Sequence, residues 1–354
     1  MPILRSIASA VPAHAVSQAA LAELARFHFA PAFPDIDRYM VIFRNTRIET
    51  RYLAAPPAWF TQPHSFQESN SLYIEQATAL GRQAITRCLA NVGLDAEAID
   101  HIIWISTTGL ATPSPDALLI GRLGMRPTTR RTPIWGLGCA GGVAGLARAS
   151  EYVRAFPHHR ALLVAVELCS LTFQWDDRSR RNLVAASLFA DGAAAVLVEG
   201  AELARPAQPA LRVLATQSLL WPDTRSIMGW DIVNSGMQVV FSARIPALIQ
   251  ATMGNTIATF LAQHGLTKHD IRHWILHPGG ARVIDAYREA LGVTDDDLRH
   301  TADILRCYGN MSSATILFVL QAFLAEGAPA AGEYGILAVL GPGFSCELAL
   351  VQGQ

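Results

Sequence analysis

The sequence predicts an α/β protein with buried sheets, and three observations carry that prediction. Nearly continuous apolar runs, such as 160–167 and 191–199, have the composition of strands covered on both faces. Segments with helical periodicity, such as 71–92 and 245–264, alternate with them. The chain also repeats itself. Trp135-Gly-Leu-Gly-Cys-Ala-Gly-Gly rhymes with Trp274-Ile-Leu-His-Pro-Gly-Gly, and Asp191-Gly-Ala-Ala-Ala-Val-Leu-Val-Glu-Gly with Phe344-Ser-Cys-Glu-Leu-Ala-Leu-Val-Gln-Gly. A duplication of this kind predicts halves at 1–205 and 206–354, divided within 200–210 at Pro206 and Pro209. It would set Cys139 and His277 at equivalent strand ends, facing one cleft.

The elements follow in order. Residues 3–11 read as a first strand and 17–29 as an amphipathic helix, then 31–70 as an irregular cap rich in Pro, aromatics and Arg. A helix ends at Gly93, the run 101–107 is a strand, and a Thr/Gly/Pro/Ser loop leads to a short helix ending at Gly124. After 133–137 the chain turns through Gly136, Gly138, Gly141 and Gly142 into a helix over 143–156, so Cys139 falls at a strand-to-helix turn. In the second half, 211–218, 273–276, 334–340 and 346–351 are strands, and 310–326 is an apolar helix.

With 354 residues, 51% hydrophobic and only 16% charged, the chain has ample material for a core and for a broad subunit interface. A formal net charge of −1 offers no field to draw it to nucleic acid. Five scattered cysteines show no metal spacing and no disulfide framework. The first residues lack the apolar core of a signal peptide, and 314–325 is too short to span a bilayer; a cytoplasmic protein without a membrane span is expected.

Three residue types stand out chemically. A thiol at a helix N-terminus feels the unpaired N–H groups there, which favours the nucleophilic thiolate. His277 closes an apolar strand ahead of Pro-Gly-Gly, and Asn310 opens a helix, where Asn also serves as a plain N-cap. Thiol, imidazole and carboxamide together make a set suited to nucleophilic catalysis.

These segments carry a resemblance. Gly138-Cys-Ala-Gly-Gly, His277-Pro-Gly-Gly, Tyr308-Gly-Asn-Met-Ser-Ser-Ala and Gly341-Pro-Gly-Phe resemble the hallmark segments of type III polyketide synthases, the chalcone synthase-like enzymes. Glu167-Leu-Cys-Ser-Leu-Thr-Phe and Leu188-Phe-Ala-Asp-Gly agree, while Met228-Gly-Trp-Asp-Ile and Val240-Phe-Ser-Ala-Arg-Ile-Pro resemble the bacterial alkylresorcinol and alkylpyrone branch. The match runs through most of the chain and is weakest over 12–70.

The resemblance implies a thiolase-like duplicated fold, layered αβαβα with two mixed five-stranded sheets, assembled as a homodimer. It implies a Cys139–His277–Asn310 triad acting on acyl-CoA and malonyl-CoA, with no cofactor and no metal. Phe173 and Phe344 would line the junction of CoA tunnel and cavity. Ile120, Cys169, Thr172, Gly229, Val239 and Ser312 would shape the pocket, with Ile120 and Cys169 standing for Thr and Val239 for a gatekeeper Phe of the plant enzymes. Arg38, Arg44 and Arg47 would meet the CoA phosphates. Smaller, more apolar walls suit a fatty acyl starter leading to a pyrone or resorcinol. A β-ketoacyl synthase III-like enzyme shares the triad but typically carries His-Gln-Ala-Asn, and a papain-like hydrolase would hold its nucleophile near the N-terminus.

Overall fold

The computed structural model describes residues 1–203 and 211–354. The expected boundary at Pro206 and Pro209, between 205 and 206, lies outside the described residues. In chain order the strands are β1 Ile3–Ala10, β2 His14–Ser17, β3 Thr50–Leu53, β4 His101–Ile105, β5 Arg130–Ile134, β6 Arg160–Leu168 and β7 Asp191–Glu199. After the undescribed residues come β8 Leu211–Leu220, β9 Met228–Val233, β10 Gly236–Phe241, β11 Ile271–Leu276, β12 Tyr334–Gly341 and β13 Ser345–Gly353. The helices are α1 Gln18–Phe29, α2 Ile36–Asn45, α3 Phe66–Ala90, α4 Pro115–Leu123, α5 Gly141–Ala155 and α6 Arg180–Leu188. The second half adds α7 Ile245–Ala262, α8 Ala281–Leu291, α9 Arg299–Tyr308 and α10 Thr315–Ala325.

Nine strands form one sheet in the order β11-β12-β13-β8-β1-β7-β6-β4-β5. Its two halves meet only where Ile3 and Leu4 of β1 oppose Arg212 and Leu211 of β8. Helices α5 and α10 form the middle layer, packed with Ile103, Leu163, Val196, Val213, Leu337 and Val351 from both halves. Helix α3 covers the outer face of the first half, and α7 with α8 covers that of the second. The αβαβα layering is therefore present. Helix α10, apolar on every side as interior helices are, buries Ile316 through Leu320. By area, each such side chain contributes about 1.5–3 kcal/mol of hydrophobic free energy.

Strand pairing makes the duplication explicit and corrects two expectations. β1-β7-β6-β4 pairs antiparallel, antiparallel, parallel, and β8-β13-β12-β11 repeats that pattern. β5, parallel to β4, has no counterpart. Hence the halves contribute five and four strands, joined, rather than two separate sheets of five. Where a fifth strand would run, Asn310 makes a single isolated bridge to Phe189 before a 3-10 turn at Ser312–Ala314. It also follows that β11 matches β4, so His277 corresponds to the end of β4 near Ser106. Cys139, which follows β5, corresponds to the Asn310 turn instead.

The longest element, α3, starts earlier than its apolar pattern suggests because Ser65 and Glu68 close a capping box. Among the described residues α7 alone has the length and apolar composition to cross a membrane, but Ile249, Met253, Ile257 and Phe260 pack it into the core with α8. The cap formed by α1, α2 and the antiparallel β2–β3 pair holds its own small core, including Leu21, Phe29, Met40 and Phe43, closed by Leu183 of α6.

Candidate active site

The turn carrying Cys139 is a 3-10 turn, Gly138–Ala140, directly ahead of α5. Gly138 takes φ +47°, and a Cβ there would sit 2.7 Å from the Pro342 ring. One turn later a Cβ on Gly142 would collide with the Ser313 carbonyl. Small residues thus let three segments, 136–142, 310–314 and 341–343, converge at one point.

His277 continues β11, its N–H donating to the Ala338 carbonyl at 3.1 Å. Asn310 is tied to the chain after α6: its N–H donates to Leu188 O at 3.0 Å, and its own carbonyl accepts from Ala190 N at 2.9 Å. Its carboxamide is oriented at both ends. Nδ2 donates to Gly279 O at 3.2 Å, and Oδ1 accepts from Ser312 N at 2.8 Å. Gly279 N in turn donates to His277 O at 3.0 Å. Ser312, held at φ +48°, hydrogen-bonds the Cys139 thiol through its side chain. A run of contacts therefore links thiol, Ser312, Asn310 and the His277 turn. All three triad candidates are buried.

The electrostatics differ from the helix-terminus expectation. Burial pushes the Cys139 thiol up to about 12, outweighing the Ser312 hydrogen bond, with the nearby Glu167 carboxylate acting in the same direction as burial. Burial likewise pulls His277 down to about 3, and neither of its ring nitrogens has a hydrogen-bond partner. Burial therefore favours the neutral thiol of Cys139 and the neutral imidazole of His277.

Sequence reasoning gave Glu167 no role, yet it ties the site together. Fully buried on β6, it accepts from Thr107 N at 2.9 Å, Thr108 Oγ1 at 2.9 Å and Ser313 Oγ at 2.5 Å. Burial raises it to about 7 against those bonds. The signal was a charged residue closing an otherwise apolar strand, Leu162 through Val166.

Two separate voids lie among the elements around this centre, and neither is lined by Cys139, His277 or Asn310. A mainly apolar cavity of about 80 Å³ runs from Cys169 and Thr172 past Phe173, Phe189, Trp230 and Val239 to Leu21 and Leu24 of α1. A wider groove of about 560 Å³ ends at Gly279 and Gly280, close in sequence to His277, and carries Arg38, Arg180, Arg181 and Arg282. None of those four arginines pairs with a carboxylate among the described residues.

Of the expected pocket residues, Cys169, Thr172, Phe173 and Val239 line the cavity, and Ser312 adjoins the thiol. Three fall elsewhere. Ile120 lies on α4, packed against the core under α3, because that helix rests on the sheet's outer face. Phe344 stacks on Trp221 with centroids 5.5 Å apart, in the core of the second half. Gly229 faces Val240 across the β9–β10 hairpin, and it is its neighbour Trp230 that reaches the cavity. Among the arginines, Arg38 lines the groove, Arg44 is exposed outside it, and Arg47 pairs with Asp285 through two contacts of 3.1 Å. Phe189 and Trp230, 6.3 Å apart by centroids, belong to motifs already visible in the sequence. Arg180, Arg181 and Arg282 gave no signal, since only folding brings α6 and α8 to the same groove.

Residues 3–202 match the family described as chalcone and stilbene synthases, N-terminal domain, and residues 212–354 match its C-terminal domain. A chalcone synthase-like protein of Bacillus subtilis (strain 168) is 42% identical over 99% of this chain and 98% of its own. The 1,3,6,8-tetrahydroxynaphthalene synthase of Streptomyces peucetius subsp. caesius is 39% identical over 98% and 92%. The solved 1,3,6,8-tetrahydroxynaphthalene synthase of Streptomyces coelicolor A3(2), a bacterial type III polyketide synthase, superposes with a TM-score of 0.93 at 32% identity, covering 99% of both chains. The chain belongs to the chalcone and stilbene synthase family: it is a type III polyketide synthase, an acyltransferase that performs Claisen condensation on CoA thioesters. Among the described residues, no cluster of His, Cys, Asp and Glu could hold a metal ion.

Proposed function

We propose that this synthase extends a medium- or long-chain fatty acyl-CoA with malonyl-CoA and closes the product to an alkylpyrone or alkylresorcinol. The observation that carries this is the narrow cavity of about 80 Å³ whose walls stay largely apolar as far as α1. With Val239 rather than a bulky aromatic on the hairpin, its near end remains open to a hydrocarbon.

Cys139 is the nucleophile. As the acyl-CoA thioester enters, His277 takes the thiol proton, the sulfur displaces CoA as a thiolate to give an acyl-enzyme, and the imidazolium returns the proton to the departing CoA, leaving His277 neutral. Malonyl-CoA then enters by the groove, its phosphates met by Arg38, Arg180, Arg181 and Arg282. An imidazole N–H of His277 and the second N–H of Asn310 Nδ2 donate to the malonyl thioester oxygen. That stabilises the enolate left by loss of CO₂; its carbon attacks the Cys139 thioester carbonyl, the carbon–sulfur bond breaks to release the Cys139 thiolate, and the extended chain is left as a CoA thioester that can reload Cys139. The chain grows by two carbons. Burial suits this division of labour, because a neutral imidazole keeps the N–H that an enolate needs.

A homodimer would cover the open edge of β5 and the exposed Trp135 and Leu110 beside it. All five cysteines are free thiols, which supports the reducing cytoplasm as the compartment. The test is to incubate the protein with malonyl-CoA and acyl-CoAs of increasing length and to weigh the products. Alkylpyrone or resorcinol masses that peak at medium or long starters are expected. Equal use of acetyl-CoA, or full product from malonyl-CoA alone, would overturn the starter assignment.

A further inference from the structure

Neither ring nitrogen of His277 has a hydrogen-bond partner among the described residues. No side chain orients the imidazole, so its place depends on the backbone that bears it. That backbone follows β11, the last strand on its side of the sheet. On the inner side, His277 N donates to Ala338 O at 3.1 Å. The outer side differs between the halves. In the first, β5 lies there, and Ser106 N, just past β4, donates to Ile134 O at 3.4 Å.

In the second half a side chain takes the place of that strand. Thr301, in the first turn of α9, donates from Oγ1 to the Leu276 carbonyl at 2.9 Å, one residue ahead of His277. Both residues are fully buried. Thr301 is the polar member of an apolar face: Leu298 and Leu305, one turn to either side, share a core cluster with Leu276. A helical threonine can bond back into its own helix, but this one reaches across to β11. The turn beyond is tied by the triad itself. Gly279 N donates to His277 O, and Asn310 Nδ2 to Gly279 O. Among the described residues, Thr301 is the one side chain outside the triad that bonds to the backbone of 276–279.

We propose that Thr301 is the positioning residue of His277: its hydroxyl stands in for a missing fifth strand and fixes the strand end from which the imidazole reaches the malonyl thioester. The assignment rests on the role given to His277 in the proposed mechanism. It acts through His277 and not on the substrate.

The experiment follows malonyl-CoA decarboxylation, with kcat and KM determined separately, beside the melting midpoint. Thr301→Val keeps the shape and removes the donor, whereas Thr301→Ser keeps the donor. Thr301→Ala is added in case the valine variant folds poorly, and His277→Ala is measured alongside. Thr129→Val is the control, because Thr129 Oγ1 makes the same kind of buried bond, to Ile99 O at 3.1 Å, at the end of β4 away from Ser106. Expected are a kcat about tenfold lower in Thr301→Val and Thr301→Ala, with KM changed less than about twofold, and a kcat within about threefold of the parent in Thr301→Ser. Thr129→Val should lose melting temperature but not rate.

Parental kcat in Thr301→Val, with His277→Ala collapsed, would overturn the positioning role and leave the mechanism standing. Equal losses in the valine and serine variants would do the same, since the hydroxyl would not be what matters. A matching rate loss in Thr129→Val would reduce the effect to general loosening. If His277→Ala itself kept the parent's rate, the reading of His277 would fall, and that of Thr301 with it.

Discussion

The two halves share a ladder but not a job. β1-β7-β6-β4 and β8-β13-β12-β11 pair in the same sequence of directions, yet only the first half adds β5 and, after it, the thiol. The second half supplies His277 from the strand that matches β4, and Asn310 from the turn standing where a fifth strand would run. Duplicated scaffolds therefore place different chemistry at matching and non-matching ends alike. In the proposed mechanism the first half carries the acylated nucleophile, while the second stabilises the enolate.

That contrast can be broken experimentally. Cys139→Ala should remove elongation altogether, by at least about 10⁴-fold, because no other group can hold the acyl chain; product of normal mass and yield would refute the nucleophile. Asn310→Ala should slow malonyl-CoA decarboxylation by roughly 10²–10³-fold, while loading of a labelled starter changes by less than about tenfold. Equal losses in both steps would dissolve the split between halves.

The contrast can also be sharpened. Since burial keeps the Cys139 thiol protonated up to about 12, the thiolate fraction grows with pH through the neutral range. Alkylation by iodoacetamide should then rise about tenfold per pH unit between 6 and 9. A plateau starting below pH 7 would reveal a preformed thiolate–imidazolium pair. Gly142→Ala, forced against the Ser313 carbonyl where the halves meet, should cost about 1–3 kcal/mol and lower the melting midpoint by several degrees. An unchanged midpoint would mean that this contact yields freely. Smallest of all, Val239→Phe should narrow the near end of the cavity and shift preference a few-fold towards shorter starters, read from competing acyl-CoAs.

Much of this was legible in the residue order. Apolar runs fixed the strands because both faces of the sheet are covered, and the glycines around Cys139 marked the turn because backbone approaches backbone there. The triad was legible for the same reason, each member ending or opening a regular element. Pocket positions were not. Ile120 and Phe344 are apolar residues near motifs, and nothing in the order of residues says which face of α4, or which side of the last turn, looks inward. Arg47 pairs with Asp285, which lies far away in sequence and meets it only after folding. Glu167 and Thr301 escaped notice because their meaning lies in their hydrogen-bond partners, which are brought to them only by folding.

One further consequence comes from the cap. Carbon is added at the thioester end, so each round drives the far end of the starter deeper, towards α1. That helix rests on a private nucleus of Leu21, Phe29, Met40 and Phe43, not on the main sheet. On the proposed reading the cohesion of this small cluster would act as a yardstick: a tail that reached it would have to stop, buckle or prise the helix away, and product length would be set there.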